Sequence, residues 1–319
     1  MQRAAFNTWL SLVPDLTARQ RERLCLQLAE LVSGDQVAAL VDQSALAGLA
    51  CPRCAKCDLY RDGKADGLQR YRCKQCGRSF NGLTGTPLAR LRHKTRWLGY
   101  IDCLRDPACT VRSAADQTGI HKNTSFRWRH RFLELVKHDR PRCLQGIAEI
   151  GELKLARSFK GVRQADRPRR AHGGAASRGA GKADGVTVVI ARDRASQTVD
   201  FIIGEGLPDQ DALRLQLLPV LERDILLVSA TPPRYRRFAR QAQIEYRCAG
   251  RTKKVTHTGA IHIHHVSDYQ WRFTGWLAHF NGVATRYLSN YLGWRWAIDC
   301  DRISSAEDFL RLALRVTPT

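Results

Sequence analysis

The chain has 319 residues, 44% of them apolar, which is enough for two or three domains with real cores. Its formal charge of +22, from 52 Lys+Arg against 30 Asp+Glu, exceeds what solubility requires and creates a field that favours a polyanion. Nucleic acid is therefore the leading partner; an anionic membrane is the runner-up, and no basic amphipathic anchor stands out.

Residues 1–15 lack the basic start and apolar core of a signal peptide, and no apolar run approaches the roughly 18 residues of a membrane span. A cytoplasmic, nucleoid-associated protein is expected. The 11 cysteines are an odd number, and outside the two CxxC pairs they are scattered. That usage suits thiols in a reducing compartment with one metal site better than a disulfide framework.

In chain order, apolar positions Leu24, Leu26, Leu28, Leu31 and Val32 recur at roughly helical spacing over 16–33, with Thr17 as a cap, and 35–49 predicts a second, shorter helix. These helices carry no chemistry. Two CxxC pairs follow, Cys51/Cys54 and Cys73/Cys76, at the spacing of a zinc ribbon, in which two knuckle turns present four thiolates to a tetrahedral structural Zn2+. Cys57 competes for a place in that set. Gly77 permits the left-handed turn of a knuckle, and Tyr71 and Phe80 are expected to pack beside the metal. Zinc held by four thiolates has no open position, so such a module folds and does not catalyse.

An amphipathic helix over 88–104 comes next, with Trp97, Leu98, Ile101 and Leu104 on its apolar side. A short helix from Thr110, a turn at Gly119 and a basic helix over 122–135 then make the helix-turn-helix pattern, whose second helix enters the major groove of double-stranded DNA. Lys122, Asn123, Ser125, Arg127, Arg129 and Arg131 are the expected base and phosphate contacts, while Phe126 and Trp128 pin the helix to the core. Beyond Gln145 the character changes. A strand around 147–153 leads into a basic Arg/Gly/Ala-rich loop over 157–182, in which Arg169 and Arg170 are expected to lie along phosphates. Strands at 186–191 and 198–203 form a hairpin around Arg194, followed by a helix over 209–221, a strand over 225–229 and a helix over 233–241. Strands first, then alternation, predicts an α/β domain with a mixed sheet and flanking helices.

The order of these features resembles the DDE-type transposases of bacterial insertion sequences, in which a zinc ribbon and a helix-turn-helix precede an RNase H-like domain. The resemblance rests on the ribbon, on Ser125-Phe126-Arg127-Trp128-Arg129-His130, on the strand Glu149 to Leu153, on Ala191-Arg192-Asp193-Arg194, and on the tail from His279 to Leu292. It divides the chain into N-terminal helices (1–48), zinc ribbon (49–84), helix-turn-helix (85–140) and RNase H-like domain with C-terminal helices (141–319). It implies binding to terminal inverted repeats, a homodimer that pairs the two ends, and acidic residues that hold two Mg2+ ions for strand cleavage and transfer.

Those acidic positions fall at Gly151 and Ala230, the third ligand near Ser267, and a lysine that commonly follows at Thr274. None matches the pattern, and neither Gly151 nor Ala230 offers the oxygen that Mg2+ requires. Glu149, on the same strand face but about 7 Å along it, and Asp268 are the possible substitutes. The expectation is a sequence-specific DNA-binding protein without strand-transfer chemistry, with Mg2+ relevant only to an active form. Two alternatives remain: an active metal-dependent transposase using displaced carboxylates, and a protein-interaction module on an inherited fold. The histidines at 262, 264 and 265 read as polar strand residues with no third metal ligand nearby.

Overall fold

The computed structural model describes residues 2–161, 185–204, 206–249, 259 and 261–315. These fall into two compact units, one from Met1–Asp106, Val111–Trp128 and Ser304–Thr319, the other from Pro107–Thr110 and Arg129–Ile303.

The first unit opens with helix α1 (Arg3–Ser11) and the 29-residue helix α2 (Ala18–Leu46). Thr17 caps α2 in a reciprocal box: its hydroxyl accepts from the Gln20 amide at 3.3 Å while the Gln20 side chain accepts from the Thr17 amide at 2.8 Å. The break expected near residue 34 does not occur. Gly34 serves close packing instead, since a Cβ there would stand 2.8 Å from Thr95 Cγ2. As one helix, α2 is also long and apolar enough to cross a membrane by length and composition, which the sequence reading denied. Val37, Leu40 and Val41 are buried, whereas Leu26, Leu28, Leu31 and Val32 in its first half are exposed.

Strands β1 (Leu59–Ala65), β2 (Leu68–Cys73) and β3 (Ser79–Asn81) form an antiparallel sheet in that order. The helix expected over 88–104 is shorter: a 3-10 turn at Lys94–Arg96 leads into α3 (Trp97–Arg105). Left-handed backbone at Arg90 and His93 prevents an earlier start. Helices α4 (Val111–Thr118) and α5 (Lys122–Val136) follow as expected, and the boundary between the two units falls inside α5.

In the second unit, β4 (Ile147–Ala156), β5 (Gly185–Asp193) and β6 (Thr198–Gly204) form an antiparallel meander. After α6 (Gln210–Gln216), strand β7 (Leu226–Ser229) pairs parallel to β4; after α7 (Pro232–Ala242), strand β8 (Glu245–Cys248) pairs parallel to β7. Pro219 stands within a separate 3-10 turn, so the helix expected over 209–221 ends early. The sheet order β6-β5-β4-β7-β8, three antiparallel strands and then two parallel ones, is the RNase H-like arrangement. Helices α8 (His264–Ala278) and α9 (Leu288–Asp299) complete the unit. The last helix, α10 (Ala306–Arg315), packs on α2 and α3 and buries Phe309, Leu310 and Ala313, so residues from Ser304 onward group with the first unit rather than with the RNase H-like domain.

The two faces of the five-stranded sheet differ in chemistry. Ala148, Ile150, Val189, Ala191, Val199 and Phe201 turn toward Leu213, Leu217, Tyr235 and Phe238 in an apolar core. By strand alternation, Glu149, Gly151, Arg192 and Asp200 share the opposite face, where Glu149 is paired with Arg192 across β4 and β5. That face is ionic.

Candidate functional site: a four-thiol centre, a helix-turn-helix and an ionic sheet face

The two knuckles are built alike. The Ala55 amide donates to the Cys51 carbonyl at 2.8 Å and the Gly77 amide to the Cys73 carbonyl at 2.9 Å, while the Cys51 and Cys73 amides donate to Lys56 and Arg78. Ala55 and Gly77 both have positive φ, at 56° and 68°, as the left-handed turn of a knuckle demands. The Sγ atoms of Cys51, Cys54, Cys73 and Cys76 converge, with separations of 3.5 Å for Cys51 to Cys76, 3.6 Å for Cys54 to Cys73 and 3.7 Å for Cys54 to Cys76. A tetrahedron with Zn–S bonds of about 2.3 Å has edges of about 3.8 Å, so the four thiols fit Zn2+ with little movement.

Burial raises the Cys51 thiol, but the Arg53 and Cys54 amides and the neighbouring sulfurs outweigh it and bring it down to about 6. Cys54 has the Lys56 amide lowering it, yet burial and the three other sulfurs push it up to about 12. Crowded thiols of this kind share charge poorly without a cation. Cys57 is exposed and lies outside the group, which settles the geometric competition against it. Tyr71 and Phe80 pack beside the centre, ring centroids 5.9 Å apart.

In the helix-turn-helix, Gly119 makes the turn with φ 62°. Arg96 holds it: its Nη1 donates to the Gly119 carbonyl at 2.6 Å and to the Thr118 carbonyl at 3.3 Å, satisfying groups that the end of α4 leaves open. Sequence reasoning missed Arg96, because nothing local distinguishes it from the other basic residues. On α5, Lys122, Asn123, Arg127 and Arg131 are exposed.

Three assignments on that helix change. Ser125 is buried, its hydroxyl donating to the Val111 carbonyl at 2.7 Å and lying 3.1 Å from the Tyr100 hydroxyl. Arg129 is buried too; its Nη2 donates to the Cys109 carbonyl at 2.8 Å and its guanidinium lies over Trp294 and Phe280. Neither can reach DNA. Phe126 is 39% exposed rather than a core anchor, while Trp128 is buried edge-on against Tyr100, as expected. Arg169, Arg170 and most of the basic loop lie outside the described residues.

On the ionic face, the side chain of Gln270 fills the space beside Gly151: a Cβ at 151 would sit 2.8 Å from Gln270 Nε2. The residue of α8 beside Gly151 is thus Gln270, not Ser267. Val266, Tyr269, Phe273 and Trp276 form the buried side of α8, which leaves Ser267, Asp268 and Thr274 exposed on its other sides. Asp268 pairs with Arg272 at 2.9 Å, so it is no substitute ligand beside Gly151. Thr274 Oγ1 donates to the Gln270 carbonyl at 2.7 Å. Ala230 follows the end of β7, where the second acidic position was expected.

The buried carboxylates of this face have arginine partners. Glu149 pairs with Arg194 at 2.8 Å, Asp200 with Arg140 at 2.8 Å, and Asp299 with Arg192 at 2.9 Å and with Arg272. Burial pushes Asp200 up despite Arg140, whereas Asp299, which burial also raises, is held down by Arg272 and Arg192. His264 and His265 open α8 and His262 precedes it, so 262 and 265, rather than 262 and 264, approach Glu149. Trp276, Trp294 and Trp296 are core, and Trp271 is 76% exposed.

Comparison with known proteins agrees with the ribbon. Residues 45–77 match the family model of the InsA N-terminal domain, a zinc ribbon. The chain is 30% identical over 151 residues to an uncharacterized protein in transposable element ISH50 of Halobacterium salinarum, a match that covers 47% of this chain and spans about half (51%) of that relative. A chain from the crystal structure of a pre-cleavage Mos1 transpososome aligns over 67% of this chain and 73% of its own, at 13% identity and a TM-score of 0.27, too low to bear on the fold.

Proposed function

We propose that this chain is a transposase-type, sequence-specific DNA-binding protein that recognises the terminal inverted repeats of an insertion element and lacks strand-transfer chemistry. The observation that carries the reading is the exposure of Lys122, Asn123 and Arg127 on the first two turns of α5, the second helix of a helix-turn-helix in a chain of net charge +22. Groove-reading helices make base contacts from this end, and the charge supplies the phosphate term. The InsA-type ribbon and the transposable-element relative support the same direction.

In this reading the ribbon (49–84) and the helix-turn-helix (85–140) form the DNA-recognition part, structural Zn2+ maintains the ribbon, and two copies pair two ends. The loss of cleavage is argued from charge. Gly151 and Ala230 bring no oxygen ligand, and Gln270 takes the space beside Gly151.

The test is fluorescence anisotropy on duplexes carrying the inverted repeats that flank the gene, across a salt series, alongside cleavage assays in Mg2+ and Mn2+. Specific binding with a steep salt dependence and no nicking is expected. Equal affinity for scrambled duplexes would sink the recognition claim; nicking abolished by Glu149→Gln would sink the claim of lost chemistry.

A further inference from the structure

Glu149, His262 and His265 come together from two places: the third residue of β4, and the entry to α8, where His262 lies two residues before the helix and His265 in its first turn. One ligand atom from each lies within 4.8 Å of the other two. Glu149 is fully buried, and its Oε2 is fixed by the Val266 amide at 2.9 Å. Its Oε1 has no aligned hydrogen-bond donor among the described residues, although Arg194 Nη1 stands 2.8 Å away and His262 Nδ1 3.2 Å away. The arginine is thus an ion pair by distance and not a hydrogen bond by direction. The same Nη1 lies 2.9 and 3.1 Å from the two ring nitrogens of His262. The His262 and His265 rings are nearly parallel, 10° apart with centroids separated by 5.6 Å.

We propose that Glu149, His262 and His265 form a second metal site, specific for a divalent transition ion of the Zn2+ type and distinct from the four-thiol ribbon. Two imidazoles and one carboxylate are the donor set such ions prefer, whereas Mg2+ takes oxygen ligands and keeps its waters. A buried carboxylate oxygen without an aligned donor is costly, and a cation at the focus of the three groups removes that cost. Arg194 leaves from the turn after β5 and is a quarter exposed, and entry of the ion requires its side chain to move outward. Metal and guanidinium are then alternative counter-charges for Glu149. Three protein ligands leave a further coordination position to solvent or an incoming oxygen. The proposal does not depend on the DNA-binding reading, and its test uses no DNA.

The experiment is a metal count on the purified full-length chain, dialysed against Zn2+ and analysed by plasma mass spectrometry, with Co2+ absorption as a second readout. Two Zn2+ per chain are expected. His262→Ala with His265→Ala should give one, keeping the strong thiolate-to-Co2+ band of the ribbon. Arg194→Met, which leaves every ligand in place, should raise affinity at the second site at least tenfold by removing the competing cation. His264→Ala should change nothing. One Zn2+ per wild-type chain at saturation would overturn the site, as would a second ion that survives Glu149→Gln or is weakened by Arg194→Met. Because Arg194→Met tests the competition without removing a ligand, misfolding of the histidine variants would not decide the matter.

Discussion

Arg129 Nη2 donates to the carbonyl oxygen of Cys109 at 2.8 Å, and the guanidinium is wholly removed from solvent. Two residues earlier on the same helix, Arg127 is exposed. The pair separates fold from recognition. Arg129→Met should cost about 1–2 kcal/mol, since it strands the Cys109 carbonyl and discards the contacts with Trp294 and Phe280, offset in part by removing two buried guanidinium nitrogens that have no hydrogen-bond partner among the described residues. Arg127→Ala should change stability by no more than about 0.5 kcal/mol while lowering DNA affinity and reducing the salt slope by about 1. Urea melts and salt-series binding on both variants check this; an Arg129→Met protein as stable as the parent would refute the structural assignment.

That contrast shows what was legible in the sequence. Period and punctuation placed the ribbon, α4, the Gly119 turn, α5 and the β5–β6 hairpin, because local patterns determine such elements. Which side of α5 faces inward was not legible beyond Trp128, since Ser125 and Arg129 are polar residue types that donate to distant carbonyls on Val111 and Cys109. The two expected helices run on as α2 through Gly34, where Thr95, 61 residues away, packs close, a contact that no local rule records. Likewise, the approach of His262 and His265 to Glu149 required the start of α8 at His264, which a strand reading of the histidines concealed.

The zinc centre gives a separable outcome. Cys73→Ala should abolish the thiolate charge-transfer band of the Co2+-substituted ribbon and expose Tyr71 and Phe80, whereas Cys57→Ala should leave the band unchanged, because Cys57 is exposed and outside the four-thiol group. Strong chelation should have the same effect as Cys73→Ala, the band returning on adding Co2+ and the burial of Tyr71 and Phe80 on adding either Co2+ or Zn2+. A band lost in Cys57→Ala would show that the ligand set is not the one the geometry brings together.

Arg96 provides a test of the turn. Its contacts with the Thr118 and Gly119 carbonyls close the end of α4, and its Nε stands 3.3 Å from Glu30. Arg96→Ala should cost about 1–2 kcal/mol and speed amide exchange at the turn, with DNA binding weakened although Arg96 itself is committed to carbonyls rather than phosphate. Arg96→Lys, a point charge in place of a fork, should recover part of the stability. Unchanged exchange in Arg96→Ala would remove the capping role.

His130 yields the pH dependence. Burial, then the charges of Arg129 and Arg286, bring its imidazole down from 6.5 to about 4, and its ring stacks on Tyr287 with centroids 3.6 Å apart. The folded chain therefore holds the ring neutral where the unfolded chain would already protonate it. With the folded value below the unfolded one, the stabilisation is fully present above about pH 6.5 and is lost as pH falls toward 4, by up to about 3 kcal/mol. His130→Phe keeps an aromatic ring against Tyr287 and removes the titration. Urea midpoints of the two proteins should run together from pH 8 to about 6.5 and diverge below it, the parent falling faster. Zinc loss and carboxylate protonation act on both chains alike, so the difference between the curves isolates the imidazole; parallel curves down to pH 4 would mean that His130 is protonated in the folded state.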